Sequence, residues 1–438
     1  MPPLPDTAAE INAALEREAP ALFRALSPLG RRAGVPVRTA ASPASIAAPP
    51  PALAAALSGL SSADLRLAAE ASPAGGLPET RRRWRDWQRR QISPDQLSTL
   101  PWTTAGLAHG LALAADLFGG PGRAVAVPEP FWGNYRQTFA VRTGARILTA
   151  PAYRGGRFHP RACAEALAAL PPGEPAVAIL NLPSNPGGYS PTVLERRQLR
   201  ESLVGEAGRR PLVVLCDDAY AGLVFEDVPR RSMFWELAGA HPDLVPVKID
   251  GGTKEFSFFG GRVGFLTFAL PPDSAAAGAL ERKLAALVRA TVGSPPSASQ
   301  VILLQALRDP GIADQVEAVR ALLEGRYRAL RGAFDRTGVG EGLFRVLPFN
   351  AGCFALVEVD PALGIPPNEV RRHLLARQDT GLISIEPRYL RIAHCSVDAA
   401  ALPELASRLE RGIAELAALA APASHGAVAS ASDCPQGD

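Results

Sequence analysis

Lys254 and Arg262 lie eight positions apart in the run Thr253-Lys254-Glu255-Phe256-Ser257-Phe258-Phe259-Gly260-Gly261-Arg262. Upstream, the apolar stretch Pro211–Leu215 ends in Cys216-Asp217-Asp218-Ala219-Tyr220. A lysine set between apolar segments, after Asp250-Gly251-Gly252-Thr253, has little reason to be a surface residue. Its amine can form an imine with an aldehyde. The Arg262 guanidinium suits a phosphate, the Asp217 carboxylate a protonated ring nitrogen, and the Tyr220 phenol a ring oxygen. Asn185-Pro186-Gly187-Gly188 is by default a turn. Its place before Asp-x-x-Tyr, Lys and Arg carries more weight than any one of these residues alone.

This set of groups is what pyridoxal 5'-phosphate (PLP) needs when held as a Schiff base, and it predicts an enzyme acting on amino acids. Such residues must sit where a sheet can gather them. From about 97 to 270, short apolar runs alternate with helical patterns. The expected strands are Gln96–Leu100, Ala124–Val127, Arg146–Leu148, Ala176–Leu180, Leu212–Leu215, Val245–Ile249 and Val263–Phe268. The expected helices include Ala105–Phe118, Trp132–Arg142, Arg161–Leu170 and Pro191–Glu206. That rhythm predicts an α/β fold: a large domain with a mostly parallel, seven-stranded sheet between helices. Ligands of such sheets sit beyond the carboxyl ends of the strands, where most of the candidate residues fall. Residues 276–337 are helical. Leu343–Leu347, Cys353–Glu358, Leu382–Ile385 and Tyr389–His394, with helices near 366–376 and 400–419, suit a smaller α+β domain.

The remaining segments complete the organisation. Residues 6–29 read as an amphipathic helix, Ala40–Pro51 as a Pro/Ala/Ser connector, and a helix begins at Leu77-Pro78-Glu79, where proline suits the first turn. The expected division is 1–70 (N-terminal helix and connector, part of the small domain), 71–305 (cofactor-binding), 306–420 (small C-terminal domain) and a disordered tail at 421–438.

Bulk properties exclude several classes. At 438 residues, two domains are the prior. Hydrophobic content of 47% and charged content of 20% are those of a soluble globular protein. Net charge is only +3, from 46 basic and 43 acidic residues. Arg81-Arg82-Arg83, beside Trp84 and Trp87, reads as a solvated helix face, so no nucleic-acid partner is expected. Five cysteines without a CxxC fit a reducing cytoplasm. The six histidines lack metal-ligand spacing, and His109 and His394 read as packing residues. The N-terminus lacks the basic start and apolar core of a signal peptide, and no apolar run reaches spanning length, so no membrane partner is expected.

With these residues in order, the chain from roughly Leu77 to Leu419 resembles the class I/II aminotransferases of PLP-dependent fold type I. Asn185-Pro186-Gly187-Gly188 matches that family's Asn-Pro-x-Gly, Asp217–Tyr220 its Asp-x-Ala-Tyr, and Lys254 with Arg262 its lysine and arginine. The resemblance implies that Asn185 bonds the cofactor's ring oxygen and that Arg391, in Tyr389-Leu390-Arg391-Ile392-Ala393-His394, holds the substrate α-carboxylate. It also implies that Gly106, Leu107 and Ala108 cradle the phosphate at a helix start, and that Trp132 covers the ring. The family places a hydroxyl three residues before its lysine; here Gly251 stands there, with Thr253 and Thr104 as substitutes. No aromatic residue precedes Gly75-Gly76, and Ala40–Pro51 stands in place of the usual substrate-covering strand.

The implied reaction is amino exchange between an amino acid and a 2-oxo acid by a ping-pong Schiff-base cycle, in a homodimer. Relatives acting on dicarboxylates carry an arginine after a Ser-Pro-Pro-like segment. Gly293–Val301 offers none, which argues against a dedicated dicarboxylate enzyme. A PLP-dependent lyase (a C–S lyase or decarboxylase) shares every motif around the lysine, because the bond broken depends on which Cα substituent stands perpendicular to the ring. A non-catalytic PLP-binding regulator would need a basic recognition helix ahead of the large domain, and the first 75 residues show none.

Overall fold

The computed structural model describes residues 38–39, 46–91, 98–336 and 338–420. The expected helix at 6–29 and the tail at 421–438 lie outside these residues. The central sheet has seven strands: β1 (Trp102–Thr104), β2 (Ala124–Glu129), β3 (Arg146–Pro151), β4 (Ala176–Asn181), β5 (Leu212–Asp217), β6 (Leu244–Asp250) and β7 (Gly264–Phe268). Their order is β1-β7-β6-β5-β4-β2-β3, and only β7 runs against its neighbours.

Alternation along these strands builds two cores, because successive side chains point to opposite faces. Ala124, Ala126, Ala176, Ala178, Leu180, Leu212, Val214 and Cys216 pack on one face. Val125, Val127, Val177, Ile179 and Leu215 pack on the other, with Tyr135 and Phe139. Both faces are covered, so the strands read as unbroken apolar runs. The same parity carries Asn181 and Asp217, two residues on from Ile179 and Leu215, to the Tyr135 face at the carboxyl edge.

A four-stranded antiparallel sheet, β8 (Phe344–Val346), β9 (Ala355–Val359), β10 (Ile383–Ile385) and β11 (Tyr389–Ile392), makes a second layer in the order β8-β9-β11-β10. Its core takes in Ile46 and the helices Ile312–Phe334, Pro367–Arg377 and Leu402–Ala420. Arg38–Thr39 pairs in parallel with Thr380–Gly381, so the N-terminal segment joins this C-terminal layer. The α/β class with a smaller second domain stands.

Several local expectations are corrected. The first strand is Trp102–Thr104, not Gln96–Leu100; residues 98–100 are described and form no strand, while 96 and 97 lie outside the described residues. Two consecutive threonines hide this strand in the sequence, yet both are buried. The connector ends sooner than expected: Pro51–Ser58 is a helix with Pro51 in its first turn, followed by a second helix at Ser62–Ala69. Alanine's helix propensity outweighs the proline-rich look of the segment. Trp132–Arg142 is helical only from Asn134, and Arg136–Val141 within it is π-helical. The helix Val193–Ala207 starts with a capping box between Thr192 and Glu195. Trp84 and Trp87 are buried while Arg82 and Arg83 are exposed, as an amphipathic helix requires. No helix among the described residues is long and apolar enough to cross a membrane.

Candidate active site

Beyond the carboxyl ends of β4 and β5 lies a cleft of about 300 Å³. Leu107, Ala108, Trp132, Asn185, Asp217, Tyr220, Thr253, Lys254, Arg262 and Arg391 line it, together with Asn181, Ala219 and Phe354. Every candidate site residue is therefore brought to one cavity except Gly106. Gly106 backs its wall at φ +83°, and an added Cβ would sit 2.4 Å from Arg262 Nη2. The positive φ favours glycine there, and a Cβ would displace the Arg262 head from the wall.

Asp217 is 3% exposed. Its Oδ1 accepts from Ala219 N–H at 3.2 Å and its Oδ2 from the Tyr135 hydroxyl at 2.5 Å. Burial pushes its carboxyl up to about 6, against the pull of those two donors. A cationic ring nitrogen would supply the positive partner that this buried carboxyl lacks at contact. Asn181 ties the edge together: its Nδ2 donates to the Asp217 carbonyl (2.9 Å) and its Oδ1 accepts from Asn185 N–H (2.6 Å). Arg391 Nη1 donates to Asn185 Oδ1 at 2.9 Å, which leaves the amide nitrogen of Asn185 as its donor end. The Arg391 guanidinium also lies 4.4 Å from the Phe354 ring centroid.

Lys254 is half-buried in the short helix Gly252–Glu255, with its ammonium 3.9 Å from the Phe259 centroid and 5.8 Å from that of Tyr220. Burial lowers its pKa, with the Arg262 charge adding to the effect and the Cys353 and Cys395 thiols opposing it. A lowered pKa raises the share of neutral, nucleophilic amine. Thr253 Oγ1 is buried and has no hydrogen-bond partner within the protein. Thr104 Oγ1, by contrast, donates to the Gly106 carbonyl at 2.9 Å and does not line the cleft. Of the two substitutes for the hydroxyl missing at Gly251, Thr253 has the free donor.

These groups fit PLP: an orphaned hydroxyl, an exposed guanidinium and a helix start for the phosphate, a buried carboxyl for the ring nitrogen, and an amine of lowered pKa. Tyr135, Asn181 and Phe354 escaped the reading of the sequence. Tyr135 stands three residues after Trp132, and only the sheet register brings it to Asp217.

His109 and His394 do not line the cleft. His109 accepts from Ala105 N–H through Nδ1. His394 is fully buried amid Phe225, Tyr327 and Phe349. Burial, reinforced by Arg326, pushes its pKa down to about 3, against a small upward pull from the Phe354 backbone. The unfolded chain then takes up a proton that the folded protein refuses. Stability from this group is complete above about pH 6.5 and is lost as pH falls toward 3, at roughly 1.4 kcal/mol per pH unit. Urea unfolding of His394→Leu across that range should show a shallower acid loss by that slope; an unchanged slope would place the lost stability elsewhere.

The model of the family aminotransferase class I and II matches residues 44–409. The chain belongs to that family, whose members are PLP-dependent. Among curated relatives, it is 28% identical over 295 residues to the putative aminotransferase AatC of Rhizobium meliloti, covering 66% of this chain and 65% of that one. It is 26% identical over 212 residues to the asparagine–oxo-acid transaminase of Streptococcus mutans, covering 48% and 49%. These matches thus span about half to two thirds of the relatives' lengths. Two solved structures share the fold. One is an aminotransferase from Anaerococcus prevotii, with TM-score 0.75 and 18% identity, covering 94% of this chain and 97% of that one. The other is the α-aminoadipate aminotransferase LysN of Thermus thermophilus, with TM-score 0.69 and 22% identity, covering 91% and 97%.

Proposed function

We propose that the protein is a PLP-dependent aminotransferase moving an amino group between an amino acid and a 2-oxo acid. The observation carrying this reading is the cleft itself, where Lys254, Asp217, Tyr220, Asn185, Arg262 and Arg391 meet. When bound, PLP supplies an electron-accepting ring that takes up charge developed at the substrate Cα.

The rest is the work of this chain. Arg262, Thr253 and the N–H groups at the start of Leu107–Phe118 hold the phosphate, and Trp132 covers the ring. Asp217 keeps the ring nitrogen protonated, while Tyr220 and the Asn185 amide nitrogen donate to the ring oxygen. Arg391 binds the substrate α-carboxylate, a charge-assisted contact of roughly 1.5–3 kcal/mol. Lys254 holds the cofactor at rest and, once released, moves the proton at Cα.

The cations lining the cleft, among the described residues, are Lys254, Arg262 and Arg391. Each has a task already, which supports substrates other than dedicated dicarboxylates. Within the same reading, residues 71–305 carry the cofactor, 306–420 with Arg38–Thr39 and Ile46 of the expected 1–70 segment form the smaller unit, and the enzyme works as a cytoplasmic homodimer.

The test is a half-reaction. The loaded protein, given single amino acids without an oxo acid, should lose its yellow absorbance and regain it on addition of 2-oxoglutarate or pyruvate. Absorbance that returns unaided, with release of a cleaved product, would mark a lyase and overturn the reading.

A further inference from the structure

Tyr135 is 0% exposed and stands at the entry to the π-helical stretch Arg136–Val141. Its hydroxyl reaches Asp217 Oδ2, and its ring meets Trp132 edge-on, with centroids 5.6 Å apart at 83°. Resting on the function proposed above, we infer that Tyr135 is a positioning residue that keeps Asp217 ionised and in register with the Trp132 ring.

Ala219 N–H holds Oδ1 and the Tyr135 hydroxyl holds Oδ2, which fixes the carboxylate plane and leaves lone pairs on both oxygens for a further donor. The titratable groups facing Asp217 are Tyr135, Tyr220, Asp218, Cys216 and Lys254. Burial and Asp218 favour the protonated carboxyl; the Tyr135 hydrogen bond and the Lys254 charge oppose them. Tyr135 is a dependable donor, because burial and the adjacent carboxylate hold its own pKa well above the phenol range. Trp132, three residues earlier, rests on the same ring. Movement of Tyr135 would therefore disturb both the carboxylate and the indole that flank the bound ring.

Tyr135→Phe removes the donor and keeps the packing ring. In the cofactor-free protein, the folded carboxyl takes up a proton that the unfolded chain does not, so stability declines as pH rises from 3.8 to about 6. With the donor gone, that decline should extend roughly one pH unit higher. In an Asp217→Asn background, where no carboxyl titrates, the same change should leave the pH profile unmoved. In the loaded enzyme, PLP affinity and kcat should each fall about tenfold, the loss of one charge-assisted hydrogen bond, while KM for the amino donor stays within about twofold. Losses that add independently across the Tyr135→Phe and Asp217→Asn cycle, or an unmoved pH profile, would overturn the role of Tyr135. A wild-type protein that takes up no PLP would overturn the function as well, whereas a normal wild type beside an unaltered Tyr135→Phe would overturn only the inference.

Discussion

Lys254→Ala protein should stay colourless after incubation with PLP and borohydride, and its turnover should fall by at least roughly 10²–10⁴-fold, the usual contribution of a positioned acid–base group. The expectation follows from its site. The amine sits in a half-buried position on a four-residue helix beside Phe259, with Arg262 eight residues on, and burial favours its neutral form. No other lysine lines the cleft among the described residues. The nearest alternative in sequence, Lys248, is bound by Asp218 and lies 3.4 Å from Asp250 on the opposite side of β6. Burial works to lower its pKa, but those carboxylates more than reverse this and hold it charged, so it cannot replace Lys254 as a nucleophile. Mass spectrometry of the borohydride-reduced wild type should place the adduct on the peptide carrying residue 254. Retained colour and turnover in the variant would mean that a different amine does the work.

What could be read in advance follows a physical division. Alternation along Leu212–Asp217 is a local property, so the strand, its burial on both faces and the polar residue at its end are legible from six residues. The order Asn185, Asp217, Lys254, Arg262 is likewise legible, since a mostly parallel sheet gathers strand ends at one edge, whereas Arg391, on the separate antiparallel sheet, could be named only from the family resemblance. Pairings that depend on register are not. Tyr135 meets Asp217 across 82 residues of sequence, and Arg391 meets Asn185 across 206. Neither distance follows from composition or period. Trp102–Thr104 went unseen because a short strand with two threonines carries no apolar alternation, and Pro51–Ser58 because alanine serves connectors and helices alike. Thr253 could be named from spacing, but only the structure shows that its hydroxyl lacks a partner while that of Thr104 is committed.

Asp217→Ala should keep part of its capacity to take up PLP, because Lys254, Arg262 and Thr253 remain, yet lose most of its turnover. A carboxylate at contact moves the pKa of a cationic partner by roughly one to three units. That is roughly 1.4–4 kcal/mol, or about ten- to a thousandfold in rate when the protonated ring is what accepts the charge. Alanine has a second cost, since it leaves the buried Tyr135 hydroxyl without its acceptor, a loss of roughly 1–3 kcal/mol in stability. Asp217→Asn separates the two effects. Its amide oxygen can still accept from Tyr135, while its NH2 replaces the oxygen that took the Ala219 N–H, so folding loses less than with alanine while the charge is gone. The two variants should therefore share a depressed kcat and differ in thermal midpoint, with alanine the lower. Normal rates in the asparagine variant would remove Asp217 from the chemistry and reduce the Tyr135 contact to a packing hydrogen bond.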